Sequence, residues 1–97
     1  MSFDQFETER RRLEILNLVG EKPGYTANEA VIREQLEGLG HRVSRDRLKA
    51  DLAWLVEQDL LLAQTPGGVY VVTLTARGSD VARGLARVPG VAKPLPV

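Results

Sequence analysis

The stretch Gly40-His41-Arg42-Val43-Ser44 constrains this chain more than any other. It lies between two segments whose apolar residues recur at helical spacing. A glycine just past the last apolar residue of a helix supplies the left-handed conformation of a C-cap. A serine is a preferred N-cap, because its hydroxyl accepts from a free amide of the next first turn. So few residues separate the two signals that one helix must hand over to another across a tight turn.

Upstream, Phe3 to Glu21 reads as a first helix, with Phe6, Leu13 and Leu16 at helical spacing. Ile15, Leu18 and Val19 widen the apolar stripe past half the circumference, more than one core-facing side requires. The excess predicts that this helix meets its own core and something else. Glu21-Lys22-Pro23-Gly24 ends it. Thr26-Ala27-Asn28-Glu29 has the form of a capping box, so a second helix is expected from Thr26. Its Val31, Ile32, Leu36 and Leu39 share one arc, and Arg33, Glu34 and Glu37 the other. The third helix follows the Ser44 cap, buries Leu48, Leu52, Leu55 and Val56, and stops near Gln58-Asp59.

Two β-rich runs come next, Leu60 to Ala63 and Val69 to Val72, on either side of Thr65-Pro66-Gly67-Gly68. Proline and paired glycines between such runs signal a hairpin. A last helix is expected from Thr75 to about Gly84. The final residues, 88–97, are Pro-rich and read as an extended or disordered tail. The expected fold is mainly α with a small β-hairpin: a three-helix bundle, a two-stranded hairpin near 60–74 and a C-terminal helix, in one domain over 1–87.

Charge and composition limit the functional classes. The 97 residues carry 13 basic and 13 acidic side chains, so the net charge is zero. Residues 1–40 hold five basic and eight acidic groups, or −3, while residues 65–97 hold four basic and one acidic, or +3. A strongly basic chain would have pointed to nucleic acid directly. The chain has no cysteine, which excludes disulfides, thiolate metal sites and a cysteine nucleophile and fits a cytoplasmic location. No signal peptide or membrane-spanning run is read, and no phosphate loop, nucleophile elbow or paired acids appear. The expectation is therefore no enzyme, no cofactor, no metal site and no small-molecule ligand.

Three stretches carry a resemblance: Gly40 to Leu48, Asp51 to Leu60, and Leu74-Thr75-Ala76-Arg77-Gly78. They resemble winged helix-turn-helix proteins, which run "Gly, polar, x, apolar, Ser" into the recognition helix and "Leu-Thr-x-x-Gly" into the last one. More narrowly, the chain is similar to the small winged-helix proteins of Mu-like phages and prophages. It departs from that pattern at two places. Asp59 stands where the family has glycine, which predicts a positive φ at an aspartate. The wing tip carries no Arg or Lys.

The resemblance implies double-stranded DNA as partner and a homodimeric phage or prophage transcriptional regulator, with the third helix in the major groove. Arg42, Ser44, Arg45, Arg47 and Lys49 are the expected contacts, because cations at a helix N-terminus reinforce its affinity for phosphate. The plainer reading of the same residues is a solvated face, with Arg47 paired to Asp51 at i, i+4. Asp46, Asp51 and Glu57 on the same helix oppose phosphate. The alternative is therefore a protein–protein interaction module, such as an anti-activator or an assembly adaptor. Phe3, Phe6, Ile15 and Leu18, together with residues 80–88, are the expected dimer interface. Trp54 is either a partner contact or packed under the wing or last helix. His41 reads as a turn residue near phosphate, Arg10-Arg11-Arg12 as mixed-charge helix surface, and Tyr25 and Tyr70 as partly buried structural aromatics.

Overall fold

Each of the four helices begins on a side chain that accepts from its own first turn. The computed structural model describes residues 2–95. Helix α1 is Phe3–Gly20, α2 Glu29–Gly38, α3 Arg45–Glu57 and α4 Ala76–Ala82. Ser2 and Gln5 form a reciprocal capping box on α1. Ser44 Oγ accepts from Arg47 N at 3.0 Å on α3, and Thr75 Oγ1 accepts from Gly78 N at 2.9 Å on α4. Each such cap satisfies an amide that the helix leaves without a partner.

The C-termini are equally regular. After α2, His41 N donates to Leu36 O and Gly40 N to Glu37 O, with Gly40 at φ +93°. After α3, Leu60 N donates to Leu55 O and Asp59 N to Val56 O, with Asp59 at φ +61°. After α4 the same pair of bonds forms around Gly84. All three are Schellman motifs, which need a left-handed residue just past the cap. At α3 an aspartate fills that position, as its place in the sequence predicted.

The second helix does not start at Thr26. Thr26–Asn28 is a strand, β1, and Asn28 Oδ1 takes over as cap by accepting from Val31 N at 2.9 Å. β1 pairs antiparallel with β3, Val71–Leu74, so that Thr26 faces Thr73 and their hydroxyls lie 2.9 Å apart. β2, Leu61–Gln64, pairs with the other edge of β3. The sheet therefore has three antiparallel strands in the order β1-β3-β2, where a two-stranded hairpin was expected. The reason is local: asparagine caps a helix at least as well as threonine, which frees Thr26 to satisfy a β3 edge. The architecture is a mixed one of four helices and one small antiparallel sheet. Among the described residues, no helix is long and apolar enough to cross a membrane.

The core draws on every layer: Leu13, Ile15, Leu16 and Val19 of α1, Ile32 and Leu36 of α2, Leu48, Leu52 and Leu55 of α3, and Leu61 and Val72 of the sheet. Leu39, expected on the buried arc of α2, is the C-cap and exposed. Tyr25 is likewise exposed, at a strained φ of +56° in the turn Pro23–Tyr25. The segment expected as a tail is docked over its first part. Val88 and Val91 are buried in the core, and Ala92 N donates to Glu9 O of α1 at 3.1 Å.

Leu60 joins three elements. Its amide closes the end of α3, and its carbonyl accepts from Thr75 N at 3.2 Å. A Cβ at Gly78 would collide with that carbonyl, so glycine is what lets α4 approach. Asp59→Gly is expected to raise stability by about 0.5–1 kcal/mol, by removing left-handed strain in excess of glycine's added chain entropy. Gly78→Ala is expected to lower it by about 1–3 kcal/mol. Thermal unfolding of the two variants checks both signs, and an unchanged or lower midpoint for Asp59→Gly contradicts the first.

Candidate functional site

The outward face of α3 follows from what its inward face must accommodate. Asp51 lies on the stripe of Leu48, Leu52 and Leu55 and is 2% exposed. A lone carboxylate there would be prohibitive. Two arginines of α1 compensate it: Arg11 Nε lies 2.5 Å from one carboxylate oxygen, and Arg12 Nε lies 3.5 Å from the other. Arg11 is itself buried, at 5% exposure, and shares a stripe with Ile15 and Val19 at i+4 and i+8. Only Arg10 of the three arginines behaves as helix surface, paired with Glu14 at 3.7 Å.

Arg12 carries the network further. Its guanidinium lies 3.9 Å from the Trp54 ring centroid, and its Nη1 donates to Gly90 O at 3.0 Å. Gly90, at φ +102°, lies flat against that ring; a Cβ there would stand 2.6 Å from Trp54 Cζ2. Trp54 is thus packed within the monomer, with the C-terminal segment lying against its ring.

The expected pairing of Arg47 with Asp51 does not form, because Asp51 is already taken by α1. Arg47 and Lys49 are exposed and have no ion-pair partner among the described residues. Arg42 and Arg45 are held to carboxylates of α2: Arg42 to Glu37 at 3.3 Å and Arg45 to Glu29 at 3.1 Å. Ser44 is engaged as the cap. Arg42, Ser44 and Arg47 line one side of a cleft of about 360 Å³, with Asp4 and Glu7 of α1 on the other and Arg11 among its walls. Arg45 and Lys49 are not part of that cleft. His41 Nδ1 lies 3.9 Å from Glu7 Oε2, which turns it toward α1.

The β2–β3 hairpin, 61–74, carries no charged side chain and exposes Leu62 and Val69. Burial, and secondarily the Glu29 carboxylate, push the Tyr70 phenol above its usual pKa, so it stays neutral at physiological pH. Among the described residues, no three His, Cys, Asp or Glu side chains gather as a metal site would require.

The expected dimer residues divide. Phe3 and Phe6 are exposed, but Ile15 is fully buried in the monomer and Leu18 packs against the same core. The apolar surplus of α1 past its second turn is covered by its own chain, since α2, α4 and the sheet all pack on this helix and the docked tail crosses it.

A buried arginine–aspartate contact, capped helices and an α3 with exposed Arg47 and Lys49 beside an uncharged hairpin define a small helix–sheet protein. The chain is 47% identical over 89 residues to gp26 of Escherichia phage Mu, an uncharacterized protein, and the match covers 92% of each chain. It is also 40% identical over 78 residues to an uncharacterized protein of Haemophilus influenzae, covering 79% of this chain and 76% of that one. The chain belongs to the family of phage Mu gp26. No protein-family model matches it, and no solved structure does.

The contact of Gly90 with Trp54 gives a direct test of how the tail is held. Gly90→Ala is expected to displace the segment after Val88, to shift Trp54 fluorescence to the red and to lower stability by about 1–3 kcal/mol. An unchanged emission spectrum contradicts the contact.

Proposed function

We propose that this chain is a winged helix-turn-helix protein that binds double-stranded DNA through the outward face of α3, as a regulator of transcription in a phage or prophage. In this reading α2, the turn 39–44 and α3 form the helix-turn-helix, and β2 with β3 forms the wing. One observation carries it: α1 takes Asp51 out of the exposed charge of α3 and leaves Arg47 free beside a capped helix N-terminus. The free amides and dipole of that terminus favour phosphate, and a planar guanidinium there suits both phosphate and guanine. The relative in phage Mu supports the phage context.

Affinity in this reading is modest and depends on few residues. Arg47 and Lys49 are ready to meet phosphate, while Arg42 and Arg45 must first leave their glutamates. Two to four phosphate contacts give a slope of log K against log salt of roughly −2 to −4.

A second reading has its own support. The wing offers Leu62 and Val69 with no charge, which suits a protein partner better than a minor groove.

Fluorescence anisotropy on labelled duplexes of the adjoining genome, at several salt concentrations, separates the two. Arg47→Ala is expected to weaken binding and to reduce the slope by about 0.9. Asp46→Asn is expected to strengthen non-specific binding by removing a repulsive charge. Absence of binding at low salt by both the wild type and Asp46→Asn overturns the DNA reading in favour of a wing-borne protein contact.

A further inference from the structure

The first turns of α1 leave their aromatic side chains uncovered. Phe3 is 75% exposed and Phe6 54% exposed, whereas every apolar residue of α1 from Leu13 onward is buried or packed on the core. Beside Phe6 the docked tail closes a groove of about 350 Å³ with Val91, Ala92 and Leu95 as its apolar lining. Arg87 and Lys93 stand at its rim, exposed and without an ion-pair partner among the described residues. Glu9 and Arg10 of α1 complete the lining, so that cations outnumber carboxylates in it. The chain therefore presents an acidic apolar turn, in which Asp4 and Glu7 flank Phe3, next to an apolar groove with a net basic rim.

We propose that a second copy of this chain occupies the groove. Phe3 of one protomer enters the groove of its partner, its Asp4 meets the cationic rim there, and the exchange is reciprocal about a two-fold axis near Phe6. Self-complementarity is what an isologous contact requires, and it follows here from the opposite charge of the two ends of the sequence. The area is sufficient. Phe3, Phe6 and Leu95 together expose on the order of 350 Å² of apolar surface. At about 60% apolar, that corresponds to roughly 600 Å² per protomer and ~1,200 Å² in total, the lower end of stable interfaces. The contact leaves Ile15 and Leu18 in the monomer core and does not require DNA.

Sedimentation equilibrium of the full chain, without DNA, tests it. The wild type is expected to be a reversible dimer with a micromolar dissociation constant, and Phe3→Ser with Phe6→Ser a monomer of unchanged melting midpoint at low concentration. Asp4→Lys and Lys93→Glu should each weaken the dimer by roughly tenfold, since the contact occurs twice. An equimolar mixture of those two variants should dimerise nearly as tightly as the wild type, because each arm then meets a groove of opposite charge. A wild type that stays monomeric at several hundred micromolar overturns the proposal. So does a dimer indifferent to these substitutions, or a mixture no tighter than its components.

Discussion

Asp51 sits between α1 and α3 with two arginines closed on it, and much of the molecule is arranged around that fact. Burying opposite charges gives little net stability, because desolvation offsets most of the attraction. What it gives is a relative position: α1 and α3 can pack in few ways that leave none of these charges alone. Arg12 extends the constraint to Trp54 and, through the Gly90 carbonyl, to the C-terminal segment. A pairing within the core thereby decides what stays outside. With Asp51 occupied, Arg47 has no carboxylate to turn to on its own helix.

Around that centre the helices are bounded by their own side chains and left-handed residues. Every helix has a side-chain N-cap, and three end in the same pair of backbone bonds. For a chain of this size such terminal groups matter, because the core is shallow and each cap contributes about 1 kcal/mol. Leu60 shows how closely the pieces depend on one another, since it ends α3, receives Thr75 and admits α4 only at a glycine.

What could be read along the sequence was whatever is encoded within a few residues. Ser44, Thr75, Gly40 and Asp59 all stand where their local chemistry placed them. β1 was hidden because the partner of Thr26 is 47 residues away, and a capping pattern at the same place gave a plausible local alternative. The buried ion pair was hidden for a similar reason. Arg11 and Asp51 each sit at an apolar-stripe position, but neither is explained until the two stripes meet. Opposite charges intruding on the apolar faces of two helices are the signal that would have found them. The surplus apolar surface of α1 was assigned to a second chain at Phe3, Phe6, Ile15 and Leu18, yet past its second turn the helix is covered by α2, α4 and the sheet of its own chain. Of the expected DNA contacts, the local charge cluster was visible and its pairing with α2 was not.

The most direct measurement is a double-mutant cycle on the α1–α3 pair, by urea unfolding of Arg11→Met, Asp51→Leu and the combined variant. Asp51→Leu leaves the buried Arg11 without its carboxylate and should cost about 3–5 kcal/mol, while Arg11→Met leaves Asp51 only the longer contact with Arg12 and should cost somewhat less. The combined variant should be far more stable than the sum of the two losses implies, with a coupling of at least ~2 kcal/mol. Losses that simply add would show that Arg11 and Asp51 do not hold α3 against α1.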